Sequence, residues 1–412
     1  MTESEFKDYV VYIAPKVEVT KQGVVTLFLL TIGCSHQEPC AGKLACTVWN
    51  WSWRGRPLFR PYQIAWFRRL HLWTGCCRQS RTKPEINIKI RLCPVLFKFY
   101  RAVIMILMPG KSYRGTLPPL TRHQEELSDR LRQDVEAIAG TGEHNYIYYD
   151  NLLKTEAYLE SRLTQAGYTV QRQEYLIGDR QFTNLEVEIP GEALGEEIIV
   201  IGAHYDSVVG SPGANDNGSG AAAVLALADY FAATHPQKTL RFVEFVNEEP
   251  PFSWTPDMGS WVYAKRSRER NEKIVAMLSL ETMGYYSDTP GSQTYPLGLL
   301  NNIYPITGNF IAFVGNFASG GLVRQVVKAF RTHTLFPSEG SILPNTVPGA
   351  GWSDHWSFWQ EGYPGIMVTD TAMFRYPYYH TQEDTPAMVN YNHLARVVSG
   401  LEAVIMNLAN ID

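Results

Sequence analysis

The chain has 412 residues, 45% hydrophobic and 19% charged, which excludes a disordered or fibrous protein and allows one large core or two smaller ones. Charge divides unevenly: residues 1–114 carry 18 Lys and Arg against 6 Asp and Glu, a net of +12, and the remaining 19 basic and 35 acidic side chains leave the body at −16. All six cysteines (Cys34, Cys40, Cys46, Cys76, Cys77 and Cys93) lie in the head, so the body has no disulfide, thiol nucleophile or thiolate ligand, and its redox compartment stays open.

The head has poor periodicity, and its cysteine spacings match neither a CxxC pair nor a zinc ribbon. Residues 24–32, after Lys21, look like the apolar core of a signal or lipoprotein segment. Residues 92–108 look like a signal anchor, but they hold Lys98 and Arg101, each costing ~2.5–3.5 kcal/mol at a bilayer centre. The basic stretch 49–81, interleaved with tryptophan, has the chemistry of a membrane-surface or nucleic-acid binder. High charge with little packing potential makes poorly ordered or non-native sequence, such as an over-extended gene start, the simpler expectation. Residues 1–110 are therefore expected to be a basic Cys/Trp-rich anchor, targeting or disordered segment. That expectation favours a secreted, periplasmic or membrane-anchored protein over a cytoplasmic one, with membrane association through this segment.

Residues 109–119 read as a Pro/Gly linker, and the folded domain is expected over 120–412. Thr121 followed by Gln124 is a capping-box pattern ahead of a polar helix to about 139. A second helix from 150 carries Leu152, Leu153, Ala157, Leu159 and Leu163 as a stripe and stops at Gly167. Strands are expected at 168–175, 182–189, 198–202, 240–246, 275–280, 310–314 and 366–369, with helices at 218–233, 258–270, 322–334 and 389–408. This alternation predicts an α/β fold, three layers α/β/α around a central, mostly parallel mixed sheet.

The polar residues that interrupt this frame sit at the carboxyl ends of strands, where open α/β sheets bind ligands: His204 after 198–202, Glu248 and Glu249 after 240–246, and Glu281 after 275–280. Asp206 and Asp216 follow His204, and His380 comes after the strand at 366–369. So many carboxylates cannot share a cleft as anions without cations among them, and two divalent ions about 3.5–4 Å apart would supply that charge. Imidazole and carboxylate donors suit zinc, and Asp206 is placed to fix the tautomer of His204. Gly218 and Gly220 allow close backbone approach around Asp216.

With these residues in view, the chain from about 121 onward resembles the co-catalytic zinc exopeptidases of the bacterial leucyl aminopeptidase, aminopeptidase Y and glutamate carboxypeptidase II family. The resemblance rests on GAHYDS, ANDNGSG, VNEEPP, LSLETMGYY, SDHWSFWQEGYP and YYHTQEDTP in that order. It implies two zinc ions, one held by His204, Asp216 and Glu281 and the other by Asp216, Glu249 and His380, with Asp216 bridging and Glu248 as general base. Many members carry Asp where this chain has Glu281. A water between two zinc ions would lose a proton near neutral pH, and Glu248 could accept that proton and pass it to the leaving amine. Asp354 and His355 have two readings, as contacts near the site or as the cap and first residue of a helix.

The function expected from this set is a zinc-dependent aminopeptidase acting on a peptide with a free N-terminus, with no nucleic-acid partner. A carboxypeptidase or dipeptidase would need a cationic pocket, for which Arg324, Arg331 and Arg375 are available. A binding protein on a degenerate peptidase scaffold would show lost ligands, yet every ligand position holds a competent donor. Glutaminyl cyclases share the scaffold but keep fewer ligands and one zinc.

Overall fold

The computed structural model describes the backbone of residues 9–20 and 23–34, and residues 107–411 with their side chains. It comprises two units, Met1–Phe97 and Lys98–Asp412. In the first, β1 (Tyr9–Thr20) and β2 (Gly23–Cys34) pair antiparallel from Thr20↔Gly23 out to Tyr9↔Cys34. Residues 24–32, expected as a targeting segment, run inside β2, where a Val- and Thr-rich sequence suits a pleated strand. The stretches 49–81 and 92–106 lie outside the described residues. No helix among the described residues is long and apolar enough to cross a membrane.

The second unit opens with α1 (Arg122–Ala139), whose capping box forms as expected: Gln124 N donates to Thr121 Oγ1 and Thr121 N to Gln124 Oε1, both at 3.2 Å. In α2 (Tyr149–Gln165) the buried stripe is Leu152, Thr155, Glu156, Leu159 and Leu163, while Leu153 and Ala157 face solvent. The inward polar pair has partners that sequence spacing does not show. Glu156 meets Arg172, and Thr155 meets Thr141. Gly167 closes the helix at φ +94°, a conformation that only glycine adopts without strain.

The sheet then builds in chain order from β3 (Gln171–Ile177), β4 (Arg180–Ile189), β5 (Leu194–His204), β6 (Lys238–Phe245), β7 (Lys273–Glu281), β8 (Ile311–Gly315), β9 (Ser338–Ile342) and β10 (Gly365–Thr369). Its spatial order is β3-β4-β6-β5-β7-β10-β8-β9. The centre β6-β5-β7-β10 is parallel, the β3-β4-β6 edge antiparallel, and β8 runs antiparallel to β10 but parallel to β9. The mixed, mostly parallel sheet is the one expected. β9, with the sequence SEGSI, was not, because it has no apolar run to announce it.

Helices cover both faces. The core strand β5 buries Ile199, Ile201 and Ala203 in the cluster shared with α1, α3 (Ser219–Phe231), α5 (Gly320–His333) and α7 (Tyr391–Ala409), and it buries Ile198 and Val200 in the opposite cluster. That second cluster takes Tyr263 and Ala264 of α4 (Gly259–Glu269) and Phe358 of α6 (His355–Gln360). A strand buried on both faces reads as a continuous apolar run, as VIGAHY does before its first polar residue.

The stretch read as a linker is strapped to this body. Arg331 of α5 reaches the carbonyls of Pro109 and Gly110, Ser338 N donates to Ser112 Oγ at 3.0 Å, and Met108 packs on the larger core cluster.

Candidate metal centre

His204 and Glu281 are the last residues of adjacent parallel strands β5 and β7, so strand register delivers both to one edge of the sheet. Glu248 and Glu249 follow the neighbouring strand β6, and Asp216 sits in the tight segment Ala214–Gly218 ahead of α3. His380 comes from the loop after β10. A Cβ on Gly220 would collide with the Leu280 carbonyl and the Asn217 amide, so only glycine lets the start of α3 lie this close to β7.

The side chains converge. His204 Nε2 lies 3.5 Å from Asp216 Oδ1, 3.3 Å from Glu281 Oε2 and 3.9 Å from Glu248 Oε2. His380 Nε2 lies 3.0 Å from Asp216 Oδ2 and 3.5 Å from Glu249 Oε1. Among the described residues, three groups have donor atoms mutually within 4.8 Å: His204, Asp216 and Glu281; Asp216, Glu249 and His380; and His204, Glu248 and Glu249. Asp216 belongs to the first two, one carboxylate oxygen facing each histidine.

Burial pushes Glu248 well above the usual carboxylate range, and burial followed by neighbouring Asp216 pushes Glu249 up to about 7. Burial disfavours charge on His380 as well, but its contacts with Asp216 and Glu249 prevail and push it up to about 10. For His204 the same burial is outweighed by Glu248 and Glu281, and the group rises. Asp216 is held low against burial by the two histidines.

These residues fit a metal. His204 Nε2, Asp216 Oδ2 and Glu249 Oε1 are buried and make no hydrogen bond, a costly state for groups that would be satisfied by coordination. Donor separations of 3.0–3.5 Å within the two groups that share Asp216 match the edge of a zinc tetrahedron, about 3.3 Å for bonds of about 2.0–2.1 Å. The donors are imidazole and carboxylate, a set that suits zinc and is also open to other divalent metals.

The surrounding hydrogen bonds revise one expectation. His204 Nδ1 meets the backbone carbonyl of Asp206 at 3.0 Å, while the Asp206 carboxylate lies 3.6 Å from that nitrogen. The Asp206 carboxylate instead accepts the backbone N–H groups of Glu248 (3.0 Å) and Glu249 (3.1 Å). A second acid, not singled out from sequence, does the same elsewhere. Asp384 accepts from Asn215 N (2.8 Å), Asp216 N (3.1 Å) and the Tyr376 hydroxyl (2.7 Å). Its position four residues after His380 is the only signal for it. Ser353 donates to Glu281 Oε2 at 2.8 Å, and Asn217 Oδ1 accepts from Thr282 N at 3.0 Å. Asn247 (φ +61°), Thr282 (φ +41°) and His380 (φ +60°) are all left-handed non-glycine residues at or next to these side chains, where strained backbone tends to collect.

Asp354 and His355 stand apart from all three groups. Asp354 precedes α6 but makes no side-chain cap, and both of its buried oxygens make no hydrogen bond. Burial raises it to about 7. His355 Nε2 lies 2.9 Å from the Ala350 carbonyl with its ring edge-on to Trp359, and burial pushes it down to about 4. It is a neutral packing residue.

Beside the cluster lies a cavity of about 100 Å³, with Glu281, Thr369 and Tyr379 at the metal side and Tyr295, Leu300, Tyr304, Phe310, Ala312, Val314 and Met367 deeper in. Tyr379 stacks on His380 at 3.8 Å between ring centroids. Trp352 also lines the cavity and packs edge-on to Trp254. None of the three arginines considered for a carboxylate pocket lines it. Arg324 reaches the Leu107 carbonyl and Arg331 reaches Glu339, while Arg375 is buried against Gln293 Oε1 and the Phe310 carbonyl.

Known proteins share this frame. Residues 184–405 match peptidase family M28. The uncharacterized protein YfbL of Escherichia coli is 35% identical over 323 residues, spanning 76% of this chain and 97% of that protein. Leucine aminopeptidase 1 of Arthroderma otae is 28% identical over 235 residues, 54% of this chain and 56% of that protein. The structure of BSAP, a zinc aminopeptidase from Bacillus subtilis, superposes with a TM-score of 0.55 at 13% identity, covering 68% of this chain and 95% of that one, a likeness of fold.

Proposed function

Starting from a chain that belongs to peptidase family M28, we propose that it is a two-zinc aminopeptidase that removes single residues from peptides with a free N-terminus. The observation that carries this reading is the cavity beside the cluster: it has room for one side chain, it begins at Glu281, and it has carboxylates but no Lys, Arg or His among its lining residues. Such a lining favours a substrate's amine and repels its carboxylate, since opposite charges within about 4–6 Å stabilise each other.

His204, Asp216 and Glu281 would hold one ion, and Asp216, Glu249 and His380 the other. When bound, the metal pair supplies Lewis-acid charge and a water acidified toward neutral pH. The remaining work falls to the chain itself. Glu248 is in the cluster without being needed in either group that shares Asp216, and its carboxylate reaches within 3.9 Å of His204 Nε2. It takes a proton from the attacking water and delivers it to the leaving amine nitrogen. Asp206, by gripping the backbone of both Glu248 and Glu249, keeps this acid in register with its ligand neighbour. Asp384 does the same for Asp216, and Ser353 orients the carboxylate of Glu281. The apolar walls exclude water and take up the N-terminal side chain.

Activity on a panel of free, N-acetylated and C-amidated peptides tests the proposal. Acetylation should remove most of kcat/KM and amidation little of it. Turnover of acetylated peptides with refusal of amidated ones would make the enzyme a carboxypeptidase. That reading has little support here, because the candidate arginines are engaged elsewhere and do not line the cavity.

A further inference from the structure

Strand register gives the cavity a length and a far end. Glu281 of β7 pairs with Thr369 of β10, Thr369 with Ala312 of β8, and Ala312 with Glu339 of β9. All four line the cavity. The row crosses three strand spacings of about 4.8 Å, so the backbones of Glu281 and Glu339 stand roughly 14 Å apart. The parallel row two residues along, Met367, Val314 and Ser341, lines the same floor. The site is thus an apolar trough with a carboxylate at each end, the metal cluster at one and Glu339 at the other.

Glu339 is held from behind. Arg331 Nη2 lies 3.4 Å from Glu339 Oε2, and the guanidinium also serves the Ser338 carbonyl (2.7 Å) and Ser338 Oγ (3.2 Å). Arg331 does not line the trough. Ser112 and the more distant Arg114 also act on this carboxylate from the same outer side, so positive charge already faces it, yet the long Arg331 contact and one hydroxyl leave part of a carboxylate with about four lone-pair sites unused. Tyr304, the neighbouring polar group, turns its hydroxyl toward Gly340 O (3.1 Å) and Ser341 Oγ (2.9 Å). Acceptor capacity therefore remains at the far end of an otherwise apolar space, where a partner that brings a donor gains more than one that brings a methyl group.

We infer that Glu339 reads the tip of the substrate's N-terminal side chain, and that the trough takes a long, largely apolar side chain ending in a hydrogen-bond donor. A phenol supplies the donor without adding charge to a pair that is already balanced, so tyrosine is the better ligand and an ammonium tip the second. This inference rests on the aminopeptidase reading and deepens it.

The test compares substrate pairs that differ only in the donor, on the zinc-reconstituted full chain: p-nitroanilides of tyrosine against phenylalanine, and of lysine against norleucine. Tyrosine should exceed phenylalanine in kcat/KM by roughly tenfold or more, and Glu339→Gln should shrink that ratio. A lysine preference over norleucine, likewise reduced in Glu339→Gln, would support the same role with a charged donor. Binding of the uncleavable tyrosinol and phenylalaninol by calorimetry gives a readout free of turnover, and the wild-type pairs carry the test should the variant fail to fold. Equal values within both pairs, or a preference that Glu339→Gln leaves untouched, would overturn the inference. Tighter tyrosinol binding with no anilide hydrolysed would leave the trough intact and sink the aminopeptidase reading instead.

Discussion

Two acids brace the candidate metal centre in the same way, each through a pair of backbone N–H groups, and their surroundings differ. Asp206 lies two residues after His204 and holds the backbone of Glu248 and Glu249, residues brought by a different strand. Asp384 lies four residues after His380 and holds the backbone of Asn215 and Asp216. Each histidine segment thus positions carboxylates that belong to another part of the chain. His204 is fully buried at the end of a central strand, whereas His380 is a loop residue whose side chain is 33% exposed. The buried half is enclosed at the sheet edge; the loop half is the more exposed one, with Tyr379 stacked on His380 and lining the cavity. Burial thus divides the cluster unevenly, and under the proposed function substrate would approach from the His380 side.

The largest expected effect separates neighbours within the Asp206 half. Glu248→Gln should keep its metal and lose roughly 10²–10⁴-fold in turnover, as when a general base is removed. Glu249→Gln should lose metal itself. Equal metal content with equal activity loss in both variants would show that the two acids do not divide the roles of base and ligand.

Breaking the braces comes next. Asp206→Asn and Asp384→Asn should each reduce metal affinity or activity by about 10–100-fold, the usual cost of losing a group that orients ligands. Metal titration with activity assays would check this. If Asp384→Asn behaves as wild type while Asp206→Asn does not, the symmetry between the halves is only geometric.

A smaller effect separates the strap from the head. A chain starting at residue 107 should match the full chain in activity, while one starting at Tyr113 should melt several degrees lower, because it lacks Met108, the carbonyls that Arg331 binds and the Ser112 hydroxyl that Ser338 N binds. Thermal denaturation of both chains decides it. Equal midpoints would return residues 109–112 to the status of linker.

The smallest concerns Glu244, buried on β6 with both oxygens lacking a hydrogen bond and held, by burial first, well above the usual carboxylate range. Above pH 4.5 the unfolded chain releases this proton while the folded one keeps it, so wild-type stability falls as pH rises toward the folded value. Glu244→Leu should remove that slope and be more stable at pH 8 than wild type, with less gain at pH 4. Denaturation across that range would show it; a pH-independent loss would mean the carboxyl has a partner that matters.

The centre of the fold was legible because its strands are buried on both faces and read as apolar runs, and the ligand positions were legible because His204 and Glu281 end such runs abruptly. Edges were not. β9 carries Glu339 in a sequence with neither alternation nor an apolar run, so the far wall of the trough had no signal. Leu153 and Ala157 fitted the helical stripe as well as Thr155 and Glu156 did, and only the partners Thr141 and Arg172 decide which pair turns inward. Asp206 was noticed for its spacing to His204, but the group that meets the imidazole is its carbonyl, which no side-chain pattern reports. Asp384 escaped because its partners are backbone N–H groups nearly 170 residues away in sequence.

The central claim is that one carboxylate, Asp216, serves two ions. Metal content of the purified full chain after zinc reconstitution and dialysis tests it most directly, measured beside Asp216→Ala and His380→Ala. The account predicts two zinc ions per chain for wild type, about one for His380→Ala and almost none for Asp216→Ala. A wild-type chain that saturates at one zinc, or an Asp216→Ala chain that still holds its full complement, would contradict it.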